Sequence, residues 1–251
     1  MGWKEAELIT QFQALGLIRG TNLMLHSSLK SFGYVEGGAD TVINALLHTI
    51  GEEGTLLVPT LTGRREDSPA APPVFDVCSS SCWTGIIPET VRTRKGTVRS
   101  LHPTHSVAAI GSLGELLTSE HEKSQSPCDQ TSPYYKNALL GGYILLAGVD
   151  QESNTSIHSC EELAGVPYHL QSEITECVLQ EEKGRKLTVR NRLHNWDKPA
   201  TDFNKLEELW KVQGLIRTGK VGNSQIRLIQ AKEMFELTID LLKRQPEYLL
   251  V

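Results

Sequence analysis

The stretch "NLMLHSSLKSFGYVEGGADTVINALLHTIGEEGTLLVPT", Asn22 to Thr60, is where the fold is decided. Asn22 to Leu29 read as a short strand, and Lys30 to Gly38 make a glycine-bearing loop. Ala39, Val42, Ile43, Leu46, Leu47 and Ile50 then recur at helical spacing, and "TLLVPT" (Thr55 to Thr60) is an apolar run of strand length. Strand, loop, helix, strand is the grammar of a layered α/β unit.

The flanking sequence extends that pattern. A helix is expected over Trp3 to Leu15, stopped by Gly16. Leu61 to Trp83, with its prolines and small polar residues, reads as a long loop of the kind that lines sites. A helix over Thr84 to Arg94, a strand over Ser106 to Ile110, a helix near Gly114 to His121, a polar loop and a strand at "YILLAGV" (Tyr143 to Val149) follow. "DQESNTSIHSCEELAG" (Asp150 to Gly165) opens with turn and cap residues and ends as a helix. The last third changes character: Ile174 to Leu193 read as a hairpin around Lys183 and Gly184. A helix over Asp202 to Gln213, a second hairpin near Lys220 to Ser224 and a closing helix to Arg244 complete the chain. Early alternation and late hairpins predict a single layered α/β domain, residues 1–251, with a central mixed sheet flanked by helices and an antiparallel C-terminal extension.

Composition narrows the function. At 251 residues, 39% hydrophobic and 22% charged, the chain has the makings of an ordinary buried core. A formal net charge of −5 argues against nucleic-acid binding, which needs clustered basic surface, and accommodates a cationic partner. No apolar run reaches the roughly 20 residues of a membrane helix, and "MGWKEAELITQF" lacks a leader's apolar core, so a cytoplasmic protein is expected. Five scattered cysteines, Cys78, Cys82, Cys128, Cys160 and Cys177, predict reduced thiols.

Three places could carry chemistry. At "MLHSSLKSFG" a strand ends in His26, Ser27 and Ser28 before a glycine-bearing loop and a helix start, a setting that suits phosphate and equally describes a plain strand-to-helix turn. At "ESNTSIHSCEE", Asn154 or Thr155 can cap a helix carrying His158. A helix start favours a neutral imidazole and hence a general base, with Glu162 at i+4 as a partner; a satisfied, partly buried histidine is the plainer alternative. "SLHPTHSVAAIG" (Ser100 to Gly111) holds His102 and His105 around Pro103. His102, His105, His158, Asp150 and Glu162 are residue types that zinc accepts, but no metal-ligand spacing occurs, so no metal is expected. Cys160 as a nucleophile beside His158 is weaker, since i and i+2 diverge on a helix.

In order along the chain, "LMLHSSLKSFGYVEGGADTVINAL", "GTLLVPT", "FDVCSSSCWTGIIPETVR", "VRSLHPTHSVAAIG", "LLAGVDQESNTSIHSCEELAG" and "GKVGNSQIRLIQAKEM" resemble the aminoglycoside 3-N-acetyltransferase family, and the resemblance covers nearly the whole chain. It implies acetyl coenzyme A as cosubstrate, its phosphates held by His26, Ser27, Ser28, Leu29, Lys30, Ser31, Phe32 and Gly33. His105 and Ser106 would lie beside the cofactor arm, with His102 a packing residue in a structured turn. It implies His158 as the base that frees the substrate amine for direct attack on the thioester, without an acyl-enzyme. The orienting carboxylate falls in "DFNKLEELW", among Asp202, Glu207 and Glu208, with Glu208 favoured and Glu162 the local rival. A polycationic acceptor calls for further carboxylates, for which Asp67, Asp76, Asp150 and Glu152 are the candidates. The run "HSCEE" and the loop Leu61 to Phe75 depart from the family pattern, which leaves a non-antibiotic amine as an alternative acceptor. A metal-dependent hydrolase and a noncatalytic coenzyme A-binding module are the readings from other classes. A homodimer is among the assemblies such an enzyme could form.

Overall fold

The computed structural model describes residues 2–251. The elements run α1 (Glu5–Ala14), β1 (Asn22–Ser27), α2 (Gly38–Ile50), β2 (Thr55–Pro59), β3 (Val74–Asp76), α3 (Ile86–Thr93), β4 (Val98–Arg99), β5 (Val107–Gly111), α4 (Gly114–Thr118), α5 (Pro133–Leu139), β6 (Tyr143–Ala147), α6 (Ser156–Ala164), β7 (Thr175–Gln180), β8 (Lys186–Asn191), α7 (Lys205–Val212), β9 (Ile216–Val221), β10 (Ser224–Gln230) and α8 (Ala231–Arg244). The main sheet has seven strands in the order β4-β5-β2-β1-β6-β10-β9. β1 is parallel to β2 and to β6, and the strands outside this trio are antiparallel. This is the expected mixed sheet.

Strand alternation divides the core. Leu23, Leu25, Leu56, Val58 and Leu145 pack with Phe12 of α1, Val42, Ile43 and Leu46 of α2 and Val91 of α3. From the opposite face Met24, Leu57, Ile144 and Leu146 meet Tyr134 of α5, Ile157 of α6, Trp210 of α7 and Met234 of α8. A sheet covered on both faces needs apolar residues at every position of its central strands, which is why "TLLVPT" reads as an unbroken run.

The two late hairpins have different fates. β9–β10 is absorbed into the main sheet against β6, whereas β7–β8 forms a separate three-stranded sheet with β3. β3 lies inside the stretch expected to be irregular, and its parallel pairing with β7 ties that stretch down. The polar segment before β6 likewise contains an unpredicted helix, α5, with Pro133 in its first turn and the Ser132 hydroxyl accepting from Tyr135 N at 3.3 Å. Among the described residues no helix is long and apolar enough to cross a membrane. All five cysteines are unpaired.

Candidate active site

After β1 the chain crosses to β2 on one side, and β6 later adds on the other. The crevice beyond the carboxyl ends of such strands is where α/β sheets take ligands. A cavity of about 350 Å³ lies there, bounded by Ser27 at the end of β1, Pro59 at the end of β2 and Val149 just past β6. His26, His105, His158 and His194 form part of its wall, and Trp83, Trp196 and Glu152 also line it.

The end of β1 is clasped to β6. Ser28 N donates to Ala147 O at 2.9 Å, Ser31 Oγ donates to Ser28 O at 2.6 Å, and the Ser31 and Ser224 hydroxyls lie 2.8 Å apart. Gly148, with φ of 68°, has no room for a Cβ, which would collide with the Ser31 side chain. Two buried polar atoms at the carboxyl end of β1 have no partner, His26 Nε2 and Ser27 Oγ. Ser27 thus offers a free hydroxyl at the cavity wall, as a polar ligand group requires. The rest of the predicted loop divides. Ser28, Leu29 and Gly33 are partly buried and Lys30 is exposed, while Ser31 is committed to the clasp. Phe32 is fully buried in the core, so its side chain cannot reach a ligand. That corrects the expectation for Phe32.

His158 sits in the first turns of α6, where Asn154 Oδ1 accepts from Ser156 N at 3.3 Å. Its Nδ1 is 2.7 Å from Glu161 Oε2. The carboxylate partner is therefore Glu161 at i+3, and the expectations for Glu208 and Glu162 are corrected. Glu208 lies on the outer face of α7, its side chain 80% exposed, and accepts from Lys211 Nζ at 2.7 Å. α7 turns its other face inward, so the neighbouring Glu207 is the buried acid, bound to Arg227 Nε at 2.7 Å and Gln151 Nε2 at 3.2 Å. Glu162 accepts from Cys128 N at 2.9 Å and meets His169 Nε2 at 3.2 Å.

Glu161 is fully buried and serves several groups at once. His169 Nδ1 lies 3.1 Å from Oε2, and Lys198 Nζ lies 3.6 Å from Oε1. Burial would raise its carboxyl, but its bonds to His158 and His169 outweigh that and hold it well below the usual range. Burial likewise lowers His169, yet Glu161 and Glu162 together lift it to about 9. His158 goes the other way: burial lowers it to about 4, although Glu161 pulls upward. His194, lowered by burial and by its neighbouring histidines, falls to about 2. At neutral pH the site thus holds a charged His169 behind neutral His158 and His194.

The two histidines that began as a possible metal clip form a turn. His102 Nδ1 accepts from Thr104 N at 3.1 Å and from His105 N at 2.9 Å, and its ring stacks on His121 at 4.5 Å. His102 is a packing residue, and His105 lines the cavity. Ser106 does not: its Oγ donates to Thr60 O at 2.8 Å and accepts from Arg99 Nε at 3.1 Å, a structural role that corrects the expected cofactor contact.

Of the four acceptor carboxylates, Glu152 alone lines this cavity, with Oε1 accepting from Phe203 N at 2.6 Å. Asp67 borders a neighbouring hollow that shares Trp83 as a wall; burial raises its carboxyl. Asp76 is corrected to a turn-former, accepting from Cys78 N, Ser79 N and Gln180 Nε2. Asp150 is corrected to a cap that accepts from Glu152 N at 3.2 Å. Sequence reasoning missed Trp83, His169, His194 and Trp196. His194 and Trp196 come from the "RLHNWDKP" segment after β8, which carries no motif, and only tertiary packing brings them to α6. Cys160 is buried in the core, with its thiol donating to Ser156 O at 3.7 Å, which removes it as a nucleophile.

Residues 24–243 match the family model described as aminoglycoside 3-N-acetyltransferase. The chain is 30% identical to aminoglycoside N(3)-acetyltransferase VII of Streptomyces paromomycinus, over 92% of this chain and 88% of that protein. It superimposes with a TM-score of 0.84 on aminoglycoside acetyltransferase AAC(3)-IVa, solved as a histidine-to-alanine mutant in complex with a gentamicin, at 28% identity over 100% of this chain and 92% of that one. The binary complex of AAC-IIIb with CoASH matches with a TM-score of 0.85 at 25% identity, over 98% of each chain.

Proposed function

The chain is an enzyme of the aminoglycoside 3-N-acetyltransferase family, and on that premise we propose that His158, oriented by Glu161, is the general base for transfer of an acetyl group from acetyl coenzyme A to an aminoglycoside 3-amine. The observation that carries the proposal is the 2.7 Å contact between His158 Nδ1 and Glu161 Oε2, with the imidazole in the cavity wall. A histidine whose Nδ1–H is donated to a carboxylate presents Nε2 as a proton acceptor in a fixed direction.

An alkylammonium has no lone pair with which to attack a carbonyl. One of its protons is given up to solvent, the neutral nitrogen adds to the thioester carbonyl while His158 accepts a second proton from it, and collapse expels the coenzyme A thiolate. The sulfur leaves with the electron pair, and a proton returned to it completes an amide and a free thiol. As the carbon–nitrogen bond forms, the remaining N–H protons become far more acidic, so a base lowered to about 4 can still receive one. Glu161 offsets the charge that develops on the imidazole. Direct attack requires no enzyme nucleophile, which agrees with the burial of Cys160.

His26, Ser27, Ser28 and the loop to Gly33 form the cofactor side of this reading. The unpartnered Ser27 hydroxyl and His26 Nε2 fit a polar group entering the cavity. The relative bound to CoASH and the relative bound to a gentamicin support a two-ligand site. For the acceptor, Glu152 and the faces of Trp83 and Trp196 supply one carboxylate and two aromatic surfaces for its ammonium groups. The test is thiol release from acetyl coenzyme A across a panel of aminoglycosides and simple amines, with mass spectrometry of the product. A single acetyl on the 3-amine supports the reading; release with non-antibiotic amines alone removes the antibiotic as acceptor.

A further inference from the structure

Glu161 and Glu162 are neighbouring acids on α6, and both carboxylates are buried, with side chains only 0% and 3% exposed. Two like charges side by side in the interior require a cation. His169, from the segment after α6, supplies it: the ring sets Nδ1 3.1 Å from Glu161 Oε2 and Nε2 3.2 Å from Glu162 Oε1. Only an imidazolium suits both contacts, because a neutral ring carries a single N–H and turns a lone pair on the second carboxylate. The Glu161 oxygen that meets His169 is also the one 2.7 Å from His158 Nδ1, so the cation acts on the base through one carboxylate.

The far end of this chain of contacts is anchored. Glu162 accepts from Ser126 Oγ at 2.5 Å and from Cys128 N at 2.9 Å, and Asn195 N donates to His169 O at 2.9 Å. The other titratable groups around the ring do not replace its charge. His158 stacks on it at 4.7 Å and His194 meets it edge-on at 4.9 Å, and burial keeps both neutral. Lys198 lies 3.6 Å from the opposite oxygen of Glu161, Oε1, above the rings of Tyr168 and Phe203. Burial raises the Tyr168 hydroxyl and the Cys128 thiol, so neither carries charge at neutral pH.

We propose that the His169 imidazolium is a positioning residue for acetyl transfer: held between Glu162 and Glu161, it keeps Glu161 ionised and directed at His158. The inference rests on His158 being the base. Removing the cation outright leaves two carboxylates beside Lys198 alone, and one of them takes up a proton from solvent. A protonated Glu161 donates to His158 Nδ1, which leaves the ring's own proton on Nε2 and no lone pair there for the amine. Raising the pH acts differently. His169 gives up a proton near 9, keeps the N–H that is aligned on Glu162, and turns its Nδ1 lone pair on Glu161, which loosens the carboxylate that orients His158.

The test follows kcat against pH, with acetyl coenzyme A and a gentamicin-type acceptor both saturating, for the full-length unaltered enzyme, His169→Gln and His169→Lys. The unaltered enzyme should lose kcat as pH rises through about 9. His169→Gln should lower kcat at neutral pH by at least about tenfold, within the roughly hundredfold that misplacing a reacting group costs, with the KM for acetyl coenzyme A unchanged and the limb near 9 gone. His169→Lys restores a cation, so it should regain rate and carry the limb upward, toward the roughly 10.4 of an ammonium. An unchanged kcat in His169→Gln, or a limb that stays near 9 in either variant, overturns the proposal. Should the variants not fold, nitrogen NMR of the unaltered chain with ring-labelled histidine decides: an imidazole still doubly protonated at pH 8 that titrates with the fall in kcat supports the proposal, and its absence overturns it. His158→Gln run alongside separates the two readings. Full activity there removes the base and this inference with it, whereas a slow His158→Gln beside a fully active His169→Gln overturns the positioning role alone.

Discussion

Glu161 touches two active-site imidazoles in opposite states: burial keeps His158 neutral while His169 is charged, though both meet the same carboxylate oxygen within 3.1 Å. His158→Gln should therefore cut the transfer rate at least about a hundredfold while leaving coenzyme A binding intact. Glu161→Gln keeps the shape but loses the pull on the imidazole, so its acid-side loss of activity should move below the value near 4 expected for the unaltered enzyme. Profiles of kcat/KM against pH for the two proteins test this, and an acid limb near 6.5 in both would contradict it. At this scale the helix start that carries His158 was legible. The carboxylate that His158 meets was not: Glu208 was favoured with Glu162 as its rival, and Glu161 was not among the candidates, because the helix faces are unknown from the sequence. The inward face of α6 carries Glu161, and the outer face of α7 carries Glu208.

Between elements, Arg99 joins the two sheets. Its guanidinium donates to Val77 O at 3.2 Å, Ser80 O at 2.6 Å and Thr60 O at 3.1 Å, and lies 4.6 Å from the Phe75 ring centroid. Arg99→Ala removes charged donors from several buried carbonyls and should destabilise the protein by about 3 kcal/mol. Arg99→Lys should recover little, since an ammonium cannot reproduce the planar fork; denaturant midpoints of the two variants decide. Ser27→Ala combined with Ser28→Ala should mainly raise the KM for acetyl coenzyme A, and an effect confined to the acceptor would mean the pockets are reversed. The main strands and helices were legible because their apolar periodicity reflects burial on the two sheet faces. β3 and α5 were not. β3 is three residues long and exists through its pairing with β7, while α5 spans two turns, too few for a period to stand out.

For the molecule as a whole, the histidines shape stability against pH. His26, His102, His105, His121, His158 and His194 are all lowered, burial being the largest cause in each. Below their ordinary 6.5 the unfolded chain takes up protons that the fold refuses, so stability falls as pH drops from 6.5. Glu161 adds to the acid loss as pH falls through its depressed folded value. His169 acts on the other side: its stabilisation is complete below 6.5 and is lost as pH rises through about 9. Urea midpoints should peak near neutrality and drop more steeply toward pH 5 than toward pH 9; equal midpoints at pH 5 and pH 7 would contradict this. The histidines were countable in the sequence, but their shared interior was not, because it is assembled from segments far apart in the chain. One measurement tests the central claim most directly: single-turnover acetyl transfer to a gentamicin-type acceptor by the unaltered enzyme and by His158→Gln, with intact-protein mass recorded throughout. The account predicts a variant slower by at least about a hundredfold and no acetylated enzyme in either case. A variant within about threefold of the unaltered rate, or an acetyl-enzyme that forms and decays with turnover, would contradict it.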